Sequence, residues 1–156
     1  MKRLTLILLL VVAAVSCTTK GPICVETPKR PAGQEDAILM TAPAIDTVRV
    51  GFIGLGMRGS SAVSRYLHIP GAKVAAICDI EPAMVEKTQE RLRRAGYPEV
   101  PSYTGSEDAW KQLCERDDID LVYVVTDWKN HAKMGVYAME QGKHVAIEVP
   151  AATSIE

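Results

Sequence analysis

Residues 48–59 read Val48-Arg49-Val50-Gly51-Phe52-Ile53-Gly54-Leu55-Gly56-Met57-Arg58-Gly59. An apolar run, Val48 to Ile53, passes straight into Gly54-x-Gly56-x-x-Gly59, and a helical pattern follows. That order is what a dinucleotide needs. Gly54 permits the tight turn out of the strand. Gly56 has no side chain, so the backbone can approach a pyrophosphate. Gly59 lets the helix pack closely on the strand, and the helix N-terminus then offers free N–H groups to the phosphates. A second strand, Lys73 to Cys78, ends in Asp79, which lies 20 residues beyond Gly59. A carboxylate at that distance accepts the ribose hydroxyls of an adenosine and repels a 2′-phosphate, which favours NAD over NADP. Arg58 falls in the first turn of the helix, placed either over the pyrophosphate or in solvent.

The pattern on either side of this turn predicts an alternating chain. A helix is expected over 59–67, with Gly59, Val63 and Leu67 on one face. Glu81-Pro82 opens the next helix, with proline at its favoured first position. Its apolar face uses Met84, Val85, Thr88 and Leu92, and Gly96 stops it. Tyr103 marks a short third strand. Ser106 reads as the cap of a third helix, with Glu107 and Asp108 in its first turn. Leu121 to Val125 is a continuous apolar strand, as expected where both faces are covered. Asn130 to Gln141 reads as a helix stopped by Gly142, and His144 to Ile147 as a fifth strand. The order β-α-β-α-β-α-β-α-β predicts an α/β fold, a Rossmann-type doubly wound parallel sheet. Ligands of such sheets sit outside the carboxyl ends of the strands, where Thr126 to His131 and Glu148-Val149-Pro150 fall.

The chain ends carry other signals. Lys2 and Arg3 precede an apolar run from Leu4 to Val15, 12 residues long, and Ala14-Val15-Ser16-Cys17 closes it with small residues. The run is too short for a bilayer span, so residues 1–16 read as a signal peptide. Cys17 resembles the lipidated cysteine of bacterial lipoproteins, which implies an exported protein held to a membrane through lipid on Cys17, facing the periplasm or the cell surface. Residues 17–46 carry Pro22, Pro28, Pro31 and Pro43 and read as a tether, with Ile38-Leu39-Met40 its only apolar patch. The domain proper is expected over 47–156. Thr153 or Ser154 looks like the N-cap of a further helix with Glu156 in its first turn, so the chain is expected to be an N-terminal piece.

Composition excludes other classes. The net charge is −1, and loss of Lys2 and Arg3 with the signal makes it −1 minus 2, or −3, too weak a bias to imply nucleic acid. Cys24, Cys78 and Cys114 lack CxxC spacing, so neither a disulfide framework nor a zinc site is expected. Asp117, Asp118 and Asp120 read as a solvated turn rather than a metal site.

Gly142-Lys-His-Val-Ala-Ile-Glu148 with Pro150 resembles the fifth strand of the Gfo/Idh/MocA oxidoreductases, whose Glu-Lys-Pro here has Val149 in place of lysine. With Gly-Leu-Gly-Met-Arg-Gly, Cys-Asp-Ile and Trp128-x-x-His131, the set is similar to glycoside hydrolase family 109, NAD-dependent α-N-acetylgalactosaminidases on the oxidoreductase fold. The resemblance covers about residues 47–156. It implies that Met57, Arg58, Asp79, Trp128, Lys129, Asn130, His131, Glu148 and Val149 line an NAD site beside Gly54, Gly56 and Gly59. It also implies a glycoside substrate with terminal N-acetylgalactosamine and a second, α+β domain that this chain lacks. The implied chemistry is transient oxidation at C3 of the sugar, elimination of the glycosidic oxygen, water addition and re-reduction, with NAD regenerated. The groups that contact the sugar fall beyond Glu156, so the chain alone is expected to be inactive. From the residues themselves, His131 reads as a base, a contact on the nicotinamide side or a first-turn helix residue. Trp128 reads as a stacking ring or a cover for the sheet edge. Two other functions fit the same residues: an exported sugar or polyol dehydrogenase, and a non-catalytic nucleotide-binding lipoprotein.

Overall fold

Strands β1 (Val48–Ile53), β2 (Ala72–Cys78), β3 (Ser102–Tyr103), β4 (Leu121–Val124) and β5 (His144–Ile147) form one parallel sheet in a computed structural model of the chain. Their order is β3-β2-β1-β4-β5. Helices α1 (Met57–Tyr66), α2 (Pro82–Arg94), α3 (Ala109–Cys114) and α4 (Trp128–Glu140) are the crossovers. The structure describes residues 40–154 together with 29, 32–35 and 38. The chain divides into two units, 1–35 with 156, and 36–155. The described part of the first is an exposed turn at Ala32-Gly33, where Gly33 has φ +88°. The expected signal peptide, Cys17 and most of the expected tether lie outside the described residues. Residues 40–46 are exposed and carry no helix or strand.

Strand alternation sorts the core into two layers. Val50 and Phe52 of β1 point to one face and pack with Val74, Ile77, Val63, Val85 and Leu92 beneath α1 and α2. Gly51 and Ile53 point to the other, where Ile53 packs with Val122, Val124, Trp110, Leu113 and Met134 beneath α3 and α4. Gly51 is a packing choice: a Cβ there would lie 2.6 Å from Leu113 Cδ2 and 2.8 Å from Ile119 Cδ1. Helices on both faces explain why β1 and β4 read as nearly unbroken apolar runs. Buried Gln89 bonds back to the chain before β3, its Nε2 donating to the carbonyl of Val100 at 2.5 Å.

Several helix boundaries differ from the sequence reading. α1 begins at Met57 rather than Gly59, because Gly56 holds the N-cap position and the amide of Ser60 already donates to its carbonyl at 2.9 Å. α4 begins at Trp128 rather than Asn130, with Asp127 at the N-cap position. α3 begins only at Ala109, with Asp108 at the N-cap position. Ser106 does not cap it; its hydroxyl accepts the amide of Asp108 at 3.3 Å within the preceding turn. β4 stops at Val124, one residue earlier than expected, although the amide of Val125 still donates to the carbonyl of Ile53 at 2.8 Å. Thr153 and Ser154 are exposed and not helical, and the rest of the helix expected there lies outside the described residues.

Asp117 and Asp118 are exposed in the turn after α3, as expected, while Asp118 and Asp120 are also ion-paired. Asp120 takes a two-pronged bond from Arg49, with Nη2 at 2.6 Å and Nε at 2.9 Å, and Asp118 pairs with Arg116 at 2.6 Å. The Arg49 hydrogen bonds hold the Asp120 carboxyl down at about 2. These pairs lie at the amino end of the sheet, opposite the glycine turn.

Candidate functional site

The glycine turn is built as its residue types require. Gly54 has φ +94°, and a Cβ there would lie 2.5 Å from the carbonyl oxygen of Val125. A Cβ on Gly59 would lie 1.8 Å from the carbonyl oxygen of Gly54, so α1 can approach β1 only through glycine. Gly56 differs: its backbone is ordinary, and a Cβ there would meet nothing within 4 Å. The space beside it is open. No side chain caps α1, so the amides of its first turn are available to a ligand.

This open space belongs to a cleft of about 650 Å³ at the carboxyl ends of β1, β2 and β4. Strand order reverses there, since β1 pairs β2 on one side and β4 on the other. The volume falls in the range of small-molecule sites. Gly54, Gly56, Met57 and Arg58 form one wall and Asp79 with Ile80 the next; Asn130, Lys133 and Met134 of α4 form the opposite wall. Asp79 is anchored by the turn itself: Oδ2 accepts the amide of Leu55 at 2.6 Å and Oδ1 the amide of Glu81 at 2.9 Å. A carboxylate has about four acceptor sites, so capacity for two hydroxyls remains. A glycine cradle, a bare helix end, an acid at the tip of β2 and cations from Arg58 and Lys133 together fit a dinucleotide.

The structure groups Gly54, Gly56, Met57, Arg58, Asp79 and Asn130 around the cleft. Gly59 acts behind it, as the contact between helix and strand. Trp128 and Lys129 are exposed at the start of α4, and Glu148 and Val149 follow β5; none of them forms the cleft wall. His131 is 1% exposed, with Nδ1 2.8 Å from the carbonyl oxygen of Pro150 and Nε2 3.1 Å from that of Thr126. Neither ring nitrogen is directed at the cleft. Sequence reasoning missed Trp110, Glu107 and Lys133, which also line it. Lys133 and Met134 were within reach, standing three and four positions after Asn130 on one helical face. Trp110 left no such signal, because only the packing of α3 against β2 and α4 brings it there.

Cys78 lines the cleft from the end of β2, but burial pushes its thiol up to about 12, and burial does the same for Cys114. Neither is a nucleophile in this state. Among the described residues no group of histidines, cysteines and acids could hold a metal ion.

Comparison with known proteins defines the class. The family described as "Oxidoreductase family, NAD-binding Rossmann fold" (Gfo/Idh/MocA) matches residues 48–156. The chain belongs to this family, and its cofactor is NAD. Within the family it is similar to proteins named for glycosyl hydrolase family 109. It is 63% identical over 136 residues to such a protein from Phocaeicola vulgatus, covering 87% of this chain and 29% of that one. To another, from Bacteroides thetaiotaomicron, it is 56% identical over 165 aligned positions, covering 100% of this chain and 35% of that one. The chain thus spans about a third of the length of the curated relatives it matches. Among solved structures, myo-inositol dehydrogenase from Lactobacillus casei in complex with NAD(H) and myo-inositol matches 69% of this chain and 30% of its own, with TM-score 0.60 and 28% identity.

Proposed function

We propose that the chain is the NAD-holding part of an exported glycosidase that cleaves glycosides ending in N-acetylgalactosamine. The observation that carries this reading is the high identity to proteins named for glycosyl hydrolase family 109. When bound, NAD supplies reversible hydride acceptance at C3 of the sugar, so that elimination and re-reduction leave it unchanged overall. The chain's own residues bind and orient. The first-turn amides of α1 and the Arg58 cation receive the pyrophosphate, Asp79 receives the adenosine ribose, and Asn130 and Lys133 close the opposite wall. Glu148 and Val149, outside the cleft wall at the end of β5, are assigned to the cofactor by the resemblance to that family. Export and lipidation at Cys17 belong to the same proposal. An exported enzyme whose cofactor returns to its starting state needs no separate oxidant.

The test adds a chromogenic α-N-acetylgalactosaminide and NAD to the protein at the full length of those relatives. The expected result is chromophore release without lasting NADH absorbance. Accumulating NADH without glycoside cleavage would favour a sugar or polyol dehydrogenase instead.

A further inference from the structure

The three residues after β5 are held from two directions. The amide of Glu148 extends the ladder by donating to Val124 at 3.0 Å. Its carboxylate accepts the phenol of Tyr123 at 2.8 Å. That phenol is itself fixed by packing, with ring centroids 5.8 Å from Phe52 and 6.1 Å from Tyr66. Two residues on, the carbonyl of Pro150 meets His131 Nδ1, whose ring spans to the carbonyl of Thr126 at the end of β4. Val149 sits between these two ties and is 81% exposed. An exposed apolar side chain on a backbone tied at both neighbours is held in one place, which lowers the ordering cost of a contact made there.

We propose that Tyr123 and His131 are positioning residues. By fixing Glu148 and Pro150 they present Val149 as a rigid apolar contact to the bound cofactor. The proposal rests on the reading that Glu148 and Val149 border the NAD site. It gives His131 a structural task, donation from Nδ1 to the carbonyl of Pro150, that needs no proton transfer.

The test measures methyl order parameters of Val149 by NMR in the whole chain, without and then with NAD. Tyr123→Phe removes only the phenol oxygen and keeps the ring packing. His131→Asn keeps a donor near the Nδ1 position, on the Pro150 side, whereas His131→Gln keeps one near Nε2, on the Thr126 side. The expected result is a rigid Val149 in the parent chain and a looser one in Tyr123→Phe and His131→Gln, with His131→Asn partly restoring order. Val122, in the core, stays unchanged throughout. NAD shifts the Val149 methyl resonances, and the loosened variants bind NAD roughly two- to tenfold more weakly, the range for ordering one side chain. A Val149 as mobile in the parent as in the variants overturns the clamp. A rigid Val149 whose resonances NAD leaves unmoved, in a chain that binds NAD, overturns the contact. Absence of NAD binding sinks the underlying site reading instead, while the order parameters still decide the clamp.

Discussion

Asp79 Oδ2 accepts the amide of Leu55 at 2.6 Å, across 24 residues of sequence. The acid assigned to the ribose is therefore also the brace of the glycine turn. The two roles share one carboxylate, so removing it has a compound effect. Asp79→Ala is expected to weaken NAD binding by on the order of 1–3 kcal/mol and to narrow the gap to NADP. Asp79→Asn keeps a side-chain oxygen for the turn but loses the charge, so it should lose less NAD affinity than Asp79→Ala. Calorimetric titration of each variant with NAD and NADP checks this. Unchanged affinities would remove Asp79 from the ribose.

The Arg49–Asp120 pair sets an acid limit on stability. The Asp120 carboxyl lies at about 2 in the folded chain against an ordinary 3.8. A depressed folded value means stability that is complete above the ordinary value and lost as pH falls towards the folded one. Thermal unfolding should show Tm dropping between about pH 4 and pH 2, and Asp120→Asn should show a smaller part of that drop. An identical pH profile in the variant would contradict the assignment.

Cys78 and Cys114 are buried thiols raised to about 12. Iodoacetamide at neutral pH should leave both unmodified in the folded chain and label both once urea unfolds it. Mass spectrometry after each treatment reads the result. Rapid labelling of Cys78 in the folded chain would show that the cleft exposes a reactive thiolate.

Lipidation is a separate question. The apolar run 4–15 and the small residues before Cys17 lead us to expect diacylglycerol on that thiol. Cys17→Ala should then give an unprocessed or soluble product, seen by membrane fractionation and intact mass. Unchanged fractionation and mass would remove the lipid from the account.

The alternation of strands and helices and the glycine turn of the cleft were legible because their causes are local. Gly54, Gly56 and Gly59 announce a turn and a close helix, and Asp79 follows at the spacing a β-α-β unit dictates. Helix starts were less legible. Ser106 has the chemistry of a cap, but its hydroxyl serves the turn before α3, and nothing local distinguishes the two uses. His131 was the hardest case. Its type and first-turn position suit a base, and only the return of Pro150 after β5 shows Nδ1 facing a carbonyl instead.

NAD is expected in the cleft beside Gly56. Gly56→Ala tests it most directly, because the added methyl meets no protein atom within 4 Å and intrudes only on the space assigned to the pyrophosphate. Calorimetric NAD titration of the parent and the variant, with Tm recorded for both, is the measurement. The expected result is an unchanged Tm and NAD affinity weaker by roughly tenfold or more, about 1.4 kcal/mol. Equal NAD affinity in the two proteins at equal Tm would place the cofactor elsewhere and contradict the account.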